Sequence, residues 1–209
     1  MKLGTDSVAL GVWTETCADA RTALDVGAGS GVLALMLAQR FPALKITALE
    51  YEHGAVLDCT SNFIASPWRD RLSVVEGDFA GYIPPGPVDL IVSNPPYFTG
   101  GPVAPEKERA AARHEGSLNY ATLIDYAVHN LSDSGSLAMI LPTEKYDDAL
   151  YCAEMARLKL RRLAWLLPAE GKSPIRVMMQ LRRHDGHCAV ETLAVRSEVF
   201  RRLTSDFYL

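Results

Sequence analysis

The tetrapeptide Asn94-Pro95-Pro96-Tyr97 follows the apolar run Val88–Ser93 and combines a carboxamide, two rings that fix the backbone and a flat aromatic face. A proline has no N–H, its ring fixes φ, and it holds the residue before it extended. Asn94 is thereby held extended. Its side-chain oxygen and the Pro95 carbonyl can then point as two fixed acceptors into one small space. Such a pair suits a planar amine, whose two N–H groups it can bind, with Tyr97 as the flat surface beside it. The plain structural alternative is a proline-rich turn closing a buried strand, and residues elsewhere decide between the two.

The next group is Asp25-Val26-Gly27-Ala28-Gly29-Ser30-Gly31. Glycines at alternate positions permit a tight strand-to-helix turn and let backbone N–H groups approach a ligand closely. Alone, this pattern serves NAD, FAD or S-adenosylmethionine, or no more than a tight turn. Asp25 discriminates: a carboxylate just before the turn suits a cationic ammonium and repels a pyrophosphate. That favours S-adenosylmethionine. Glu50, at the end of a second strand, is expected to accept from both ribose hydroxyls, a feature shared with NAD enzymes. Asp78 is expected to take the adenine amino group, with Phe79 packing on the adenine ring.

These residues need elements that bring strand ends together. Short β-branched runs predict strands at Thr22–Val26, Lys45–Glu50, Leu72–Glu76, Val88–Ser93 and 135–141. Helical periodicity predicts helices at 31–41, His53–Ala65, 118–130 and 147–159. Alternation of this kind implies right-handed βαβ units and an α/β, Rossmann-like doubly wound, mainly parallel sheet. Ligands of such sheets gather at the carboxyl ends of the strands near the switch point, where Asp25, Glu50, Asp78 and Asn94 all fall. The last quarter breaks the alternation with strands at 162–167, 175–183 and 189–195 and a short helix at 198–203. Asp185-Gly186 is a hairpin signal between the last two strands, so antiparallel edge strands are expected at the C-terminal end. Residues 98–117 form a long irregular segment with Gly100-Gly101 and a charge cluster. Its place after the Asn-Pro-Pro-Tyr turn favours a substrate-side lid.

A chain of 209 residues, 48% apolar and 22% charged, fits one domain, residues 1–209. No apolar run is long enough to span a bilayer and no leader pattern is present, so a cytoplasmic protein without membrane contact is expected. Cys17, Cys59, Cys152 and Cys188 are widely spread and read as reduced thiols. The net charge of −4 disguises an asymmetry: residues 151–209 carry 11 Lys/Arg against 6 Asp/Glu. This basic quarter (Lys159, Arg161, Arg162, Arg176, Arg182, Arg183) is the candidate for phosphate contacts. Lys172 and Arg176, with Phe98, Arg113 and His114 from the long segment, are candidates for substrate binding. His184-x-x-His187-Cys188 imitates a metal cluster but straddles the expected hairpin, and no metal is expected.

Residues 25–31, Glu50, Asp78-Phe79 and Asn94-Pro95-Pro96-Tyr97, in this order and spacing, resemble the class I S-adenosylmethionine-dependent methyltransferases. Within that class the Asn-Pro-Pro-Tyr turn implies methylation of planar nitrogens, either adenine amines in nucleic acids or glutamine amides in proteins. The resemblance extends over the whole chain. Residues 1–13 (MKLGTDSVALGVW), residues 29–40 (GSGVLALMLAQR) and residues 203–209 (LTSDFYL) are similar to the family of bacterial tRNA1(Val) adenine-37 N6-methyltransferases. Members of that family usually carry a short segment before the Gly-Thr-Asp motif, in which this chain all but begins. The resemblance implies a tRNA partner engaged at its anticodon loop. It also implies catalytic roles for Asn94, Pro95, Pro96 and Tyr97 and a cofactor held by Asp25, Gly27, Gly29, Gly31, Glu50, Asp78, Phe79 and Asn94.

Three rival readings remain open at this level. A protein glutamine methyltransferase would carry a helical bundle before the glycine turn, where this chain has only about 24 residues. A dinucleotide oxidoreductase has no use for Asn-Pro-Pro-Tyr. A non-catalytic RNA-binding module with a vestigial cofactor site has no reason to keep Asp25, Gly27, Gly29 and Asn94.

Overall fold

A computed structural model describes residues 4–96 and 118–207. Among the described residues eight strands form one sheet: β1 Thr22–Val26, β2 Lys45–Glu50, β3 Leu72–Glu76, β4 Val88–Ser93, β5 Leu131–Pro142, β6 Lys159–Leu167, β7 Arg176–Arg182 and β8 Ala189–Ala194. Among the described residues the α-helices are α1 Thr5–Trp13, α2 Val32–Arg40, α3 His53–Ala65, α4 Tyr120–Asn130, α5 Tyr146–Met155 and α6 Glu198–Thr204. The strand order is β3-β2-β1-β4-β5-β7-β6-β8. Strands β1 to β3 progress one way and β4 and β5 the other, so the switch point lies between β1 and β4.

Both faces of the sheet are covered. One core gathers Leu10 and Trp13 of α1, Leu37 of α2, Phe63 of α3 and Phe200 of α6 against Leu90 and Val92. The other gathers Leu123 and Ile124 of α4 and Ala149 and Ala153 of α5 against Ile91, Leu137 and Met139. Alternate residues of β4 thus serve opposite cores, as pleating requires of a strand buried on both sides.

Antiparallel pairing is confined to the C-terminal side of the sheet, as expected, but its partners differ. β7 pairs antiparallel with both β5 and β6, and β8 pairs parallel with β6. The expected hairpin through Asp185-Gly186 is therefore absent. The hairpin joins β6 to β7 instead, through a turn in which Gly171 has φ +73°.

Helix α1 has no counterpart in the periodicity reading. Val8 through Trp13 are all buried, and a helix apolar on every side shows no amphipathic stripe. Its Gly11 permits close packing on α2, since a Cβ there would lie 2.7 Å from Met36 Sδ. α4 starts at Tyr120 because Asn119 caps it, accepting from Ala121 N at 3.0 Å and Thr122 N at 3.1 Å. α5 stops at Met155, short of the expected Lys159. Arg157 takes φ +60° and Leu158 N reaches back to Ala153 O at 2.8 Å, a left-handed helix ending that feeds β6 directly.

Candidate active site

Two turns meet at the switch point. Asp25 pairs with Val92 in the β1–β4 ladder, so continuing that register sets residues 27–29 beside Asn94-Pro95-Pro96. Ser93 Oγ donates to Val26 O at 2.7 Å and locks the two strand ends together.

The glycine turn needs its glycines. Gly27, Gly29 and Gly31 have φ of +70°, +57° and +79°, a region that costs an L-residue energy. Space is excluded as well. A Cβ on Gly31 would lie 2.6 Å from Cys59 Sγ, and one on Gly27 would lie 2.5 Å from Leu118 Cδ2. Glu50 clamps the turn, with Oε2 accepting from Gly29 N at 2.7 Å and Oε1 from Tyr51 N at 2.8 Å and Glu52 N at 2.9 Å. Three of a carboxylate's roughly four acceptor positions are thus engaged by backbone. A bidentate hold on both ribose hydroxyls, as expected from sequence, would have to displace one of them.

Asp25 stands behind the turn. It is 1% exposed, and its Oδ2 accepts from Ala34 N at 3.1 Å in the first turn of α2. Burial lifts its carboxyl to about 7; the Ala34 bond pulls the other way and the charge of Glu50 adds to the rise. The carboxyl thus lies buried between the glycine turn and the first turn of α2. Burial also pushes the Cys59 thiol up to about 12, so this cysteine packs and does not react.

At the third strand end, Gly77 N donates to Glu50 O at 2.9 Å, which brings Asp78 alongside Glu50. Asp78 Oδ1 accepts from Ala80 N at 3.0 Å and caps the short turn Phe79–Gly81. The Phe79 ring is 6% exposed and meets Tyr126 edge to face with centroids 5.7 Å apart.

On the opposite side of the crevice Pro95 is buried and Pro96 exposed. Asn94 is half-buried, and its Nδ2 donates to Ser7 Oγ at 3.0 Å. Arg176, at the start of β7, donates from Nε to Asp6 Oδ2 at 2.8 Å. Asp6 and Ser7, neighbours in the first turn of α1, are the site residues that sequence reasoning missed; the Gly-Thr-Asp motif was their only signal. Tyr97, Phe98, Arg113, His114 and the expected lid at 98–117 lie outside the described residues.

The basic quarter divides by strand polarity. Arg176 pairs with Pro142 and Leu166, at the site end of β5 and β6, and Lys172 is exposed in the β6–β7 turn at that same end. Arg182 pairs with Ser136 and Lys159, roughly 20 Å away along β7. Arg162 and Arg183 are engaged within the fold. Arg162 bonds Glu191 Oε1 at 2.7 Å and stacks 4.6 Å from the Trp13 ring, and Arg183 donates to Leu131 O at 3.0 Å beyond the end of α4. All four cysteines are free thiols, no helix among the described residues is long and apolar enough to cross a membrane, and no group of three His, Cys, Asp or Glu among them could hold a metal.

An eight-stranded, mostly parallel sheet with a glycine turn and an acid at successive strand ends defines the class I methyltransferase fold. A protein described as a predicted O-methyltransferase from Agrobacterium tumefaciens superposes with a TM-score of 0.71 at 17% identity, covering 97% of this chain and 94% of that one. A glycopeptide N-methyltransferase solved with S-adenosyl-L-methionine gives 0.63 at 11% identity, covering 86% and 95%. A family model described as "Methyltransferase small domain" matches residues 9–152. The chain is 38% identical to the tRNA1(Val) (adenine(37)-N6)-methyltransferase of Tolumonas auensis, over all of this chain and 90% of that protein. It is 36% identical to the enzyme of the same name from Bacteroides thetaiotaomicron, over all of this chain and 91% of that protein. The chain belongs to the tRNA1(Val) (adenine(37)-N6)-methyltransferase family.

Proposed function

We propose that this protein uses S-adenosylmethionine to methylate the exocyclic N6 amine of adenosine 37, in the anticodon loop of tRNA1(Val). The observation that carries the reading is Asn94, fixed at the switch point beside the glycine turn with its amide nitrogen bonded to Ser7.

The residues present fit the cofactor. The turn at 27–31 brings backbone close to a ligand, Glu50 and Asp78 stand at adjoining strand ends, and the buried Asp25 carboxylate favours a cation and disfavours a pyrophosphate. Glu50 would hold ribose and Asp78 the adenine edge. When bound, S-adenosylmethionine supplies a methyl group made electrophilic by its sulfonium.

The target amine is a poor nucleophile because its lone pair is delocalised into the purine ring. The Asn94 oxygen and the Pro95 carbonyl each accept one of its N–H groups and draw the nitrogen toward tetrahedral geometry. That localises the lone pair in the direction of attack. The methylated nitrogen is ammonium-like and acidic, so its proton leaves without a strong base. Positioning and fixed dipoles supply the acceleration. Tyr97, with Phe98, would stack on a base splayed from an unpaired loop. Lys172, exposed at the site end, is the phosphate contact this arrangement favours, and such an enzyme works in the cytoplasm with its tRNA.

Incubation with labelled S-adenosylmethionine, total tRNA and a peptide-release factor tests the reading. Label is expected in tRNA as N6-methyladenosine at one position next to the anticodon. Label in protein alone would overturn it.

A further inference from the structure

The cations at the far end of β7 are not all paired. Lys159 meets Asp185 at 3.7 Å, and Arg162 takes both Glu15, at 3.4 Å, and Glu191, at 2.7 Å. Among the described residues no carboxylate lies within ion-pair reach of Arg161 or Arg182. Lys159 stands directly opposite Arg182 in the β6–β7 ladder, an unfavourable pairing of like charges. The Arg161 guanidinium is poorly compensated. Its Nη1 donates to His184 O at 3.4 Å, and its Nε is buried with no hydrogen-bond partner among the described residues.

The backbone is shaped to hold Arg161 there. The β6–β7 register shifts between Leu160 and Arg162, so Arg161 is the extra residue of a β-bulge, a device that re-aims a side chain. Gly186 makes room for it, since a Cβ there would overlap the Arg161 guanidinium. That contact accounts for a glycine that closes no hairpin. Arg161, Arg162 and Arg182 line one groove with Glu15, Gln180 and Glu191. Its volume of about 540 Å³ is that of a small-molecule site. The groove lies roughly 20 Å along β7 from the crevice that holds the glycine turn.

We propose that this groove binds a compact phosphate, the free ion or the phosphate of a small ester, between the guanidinium groups of Arg161 and Arg182. Guanidinium forks match phosphate oxygens in pairs, and a multiply charged anion offsets both unpaired cations and the Lys159–Arg182 opposition. The rim selects against a polyanion. The side chains of Glu15 and Asp185 are 59% and 88% exposed, and they repel a phosphodiester chain drawn across the groove. The ligand is therefore small and separate from the tRNA substrate.

Calorimetric titration at constant ionic strength, with phosphate replacing chloride, makes the test. Inorganic phosphate and ribose 5-phosphate are both expected to bind saturably; tighter binding of the ester assigns a sugar phosphate, and equal binding assigns the free ion. Combining Arg161→Gln with Arg182→Gln should weaken inorganic phosphate by about 10-fold or more, the scale of a lost charge-assisted hydrogen bond. Gly186→Ala, which displaces the Arg161 guanidinium, should weaken it as well. Glu15→Gln removes a repelling charge and should strengthen it several-fold, a gain that misfolding cannot produce. Arg69→Gln removes a cation beside β3, at the other edge of the sheet, and should leave the affinity unchanged. The proposal is overturned by the absence of saturable binding, by unchanged binding in the double variant, or by equal weakening in Arg69→Gln. A loss of tRNA affinity in the double variant as large as its loss of phosphate would also overturn it, and would make the groove an RNA surface instead.

Discussion

The two sides of the strand-end crevice are fixed by different kinds of contact. On the β1–β3 side the polar groups are held by near neighbours: Asp25 by Ala34, nine residues on, and Glu50 by Gly29, 21 residues back. On the β4–β7 side the fixing groups are remote in sequence. Ser7 reaches Asn94 across 87 residues and Asp6 reaches Arg176 across 170. The cofactor side is thus built by local segments whose backbone supplies the donors. The amine side depends on α1 being folded across the sheet. Injury to α1 should therefore disturb catalysis before it disturbs cofactor binding.

The sharpest division between the two sides comes from Asn94→Ala. Methyl transfer is expected to fall about 100- to 1,000-fold, the usual cost of losing one preorganised transition-state contact. Affinity for S-adenosylmethionine, measured by calorimetry, should stay within a few-fold. Comparable losses in both would show that the two sides are one unit.

Gly31→Ala attacks the other side. It forces a Cβ into φ +79° and to within 2.6 Å of Cys59 Sγ and the Phe63 ring. Backbone strain and overpacking together should cost about 2–4 kcal/mol in denaturant unfolding, with cofactor binding lost alongside. Near-normal stability would mean that the wall formed by Cys59 and Phe63 yields more easily than its packing implies.

This difference in construction also governs what the sequence discloses. β1 to β4 were legible to the residue because each is a short apolar run bounded by turn residues, and the glycine turn and strand-end acids follow from that register. α1 was not legible: its buried half shows no polar face, and no side chain caps its start. The Asp185-Gly186 signal is real local chemistry, but pairing is decided by sheet closure, and β6 took the place beside β7. Asp25 was read as an acid at a strand end, yet only the packing of α2 over it shows that the carboxylate is buried behind the turn.

That burial gives Asp25 a pH signature. Its folded value, about 7, exceeds the ordinary carboxylate value of 3.8, so between these limits the folded protein holds a proton that the unfolded chain releases. Stability from this group is present at low pH and is lost as pH rises toward 7. Asp25→Asn removes the slope, so relative to wild type it should fare better at pH 8 than at pH 5, by up to about 2 kcal/mol. Affinity for the cationic cofactor should run the other way, strengthening in wild type as pH rises through about 7 and remaining flat in Asp25→Asn. A flat wild-type profile would mean that the charge of Asp25 does not reach the ligand.

The smallest effect tests the reach of the amine side into RNA. Lys172 lies in the β6–β7 turn at the crevice end, whereas Arg182 lies roughly 20 Å down β7. If the anticodon loop enters over the strand ends, its phosphates pass Lys172 first. Lys172→Glu should weaken tRNA binding by several-fold at low salt and lower the slope of log K against log salt by about one unit. Arg182→Glu makes the same change of charge at the other end of the strand, so it controls for the protein's overall field. A smaller loss there, with the salt slope retained, assigns the contact to the crevice. Equal losses would instead place the RNA along the length of β7, and the crevice would then hold only the target base.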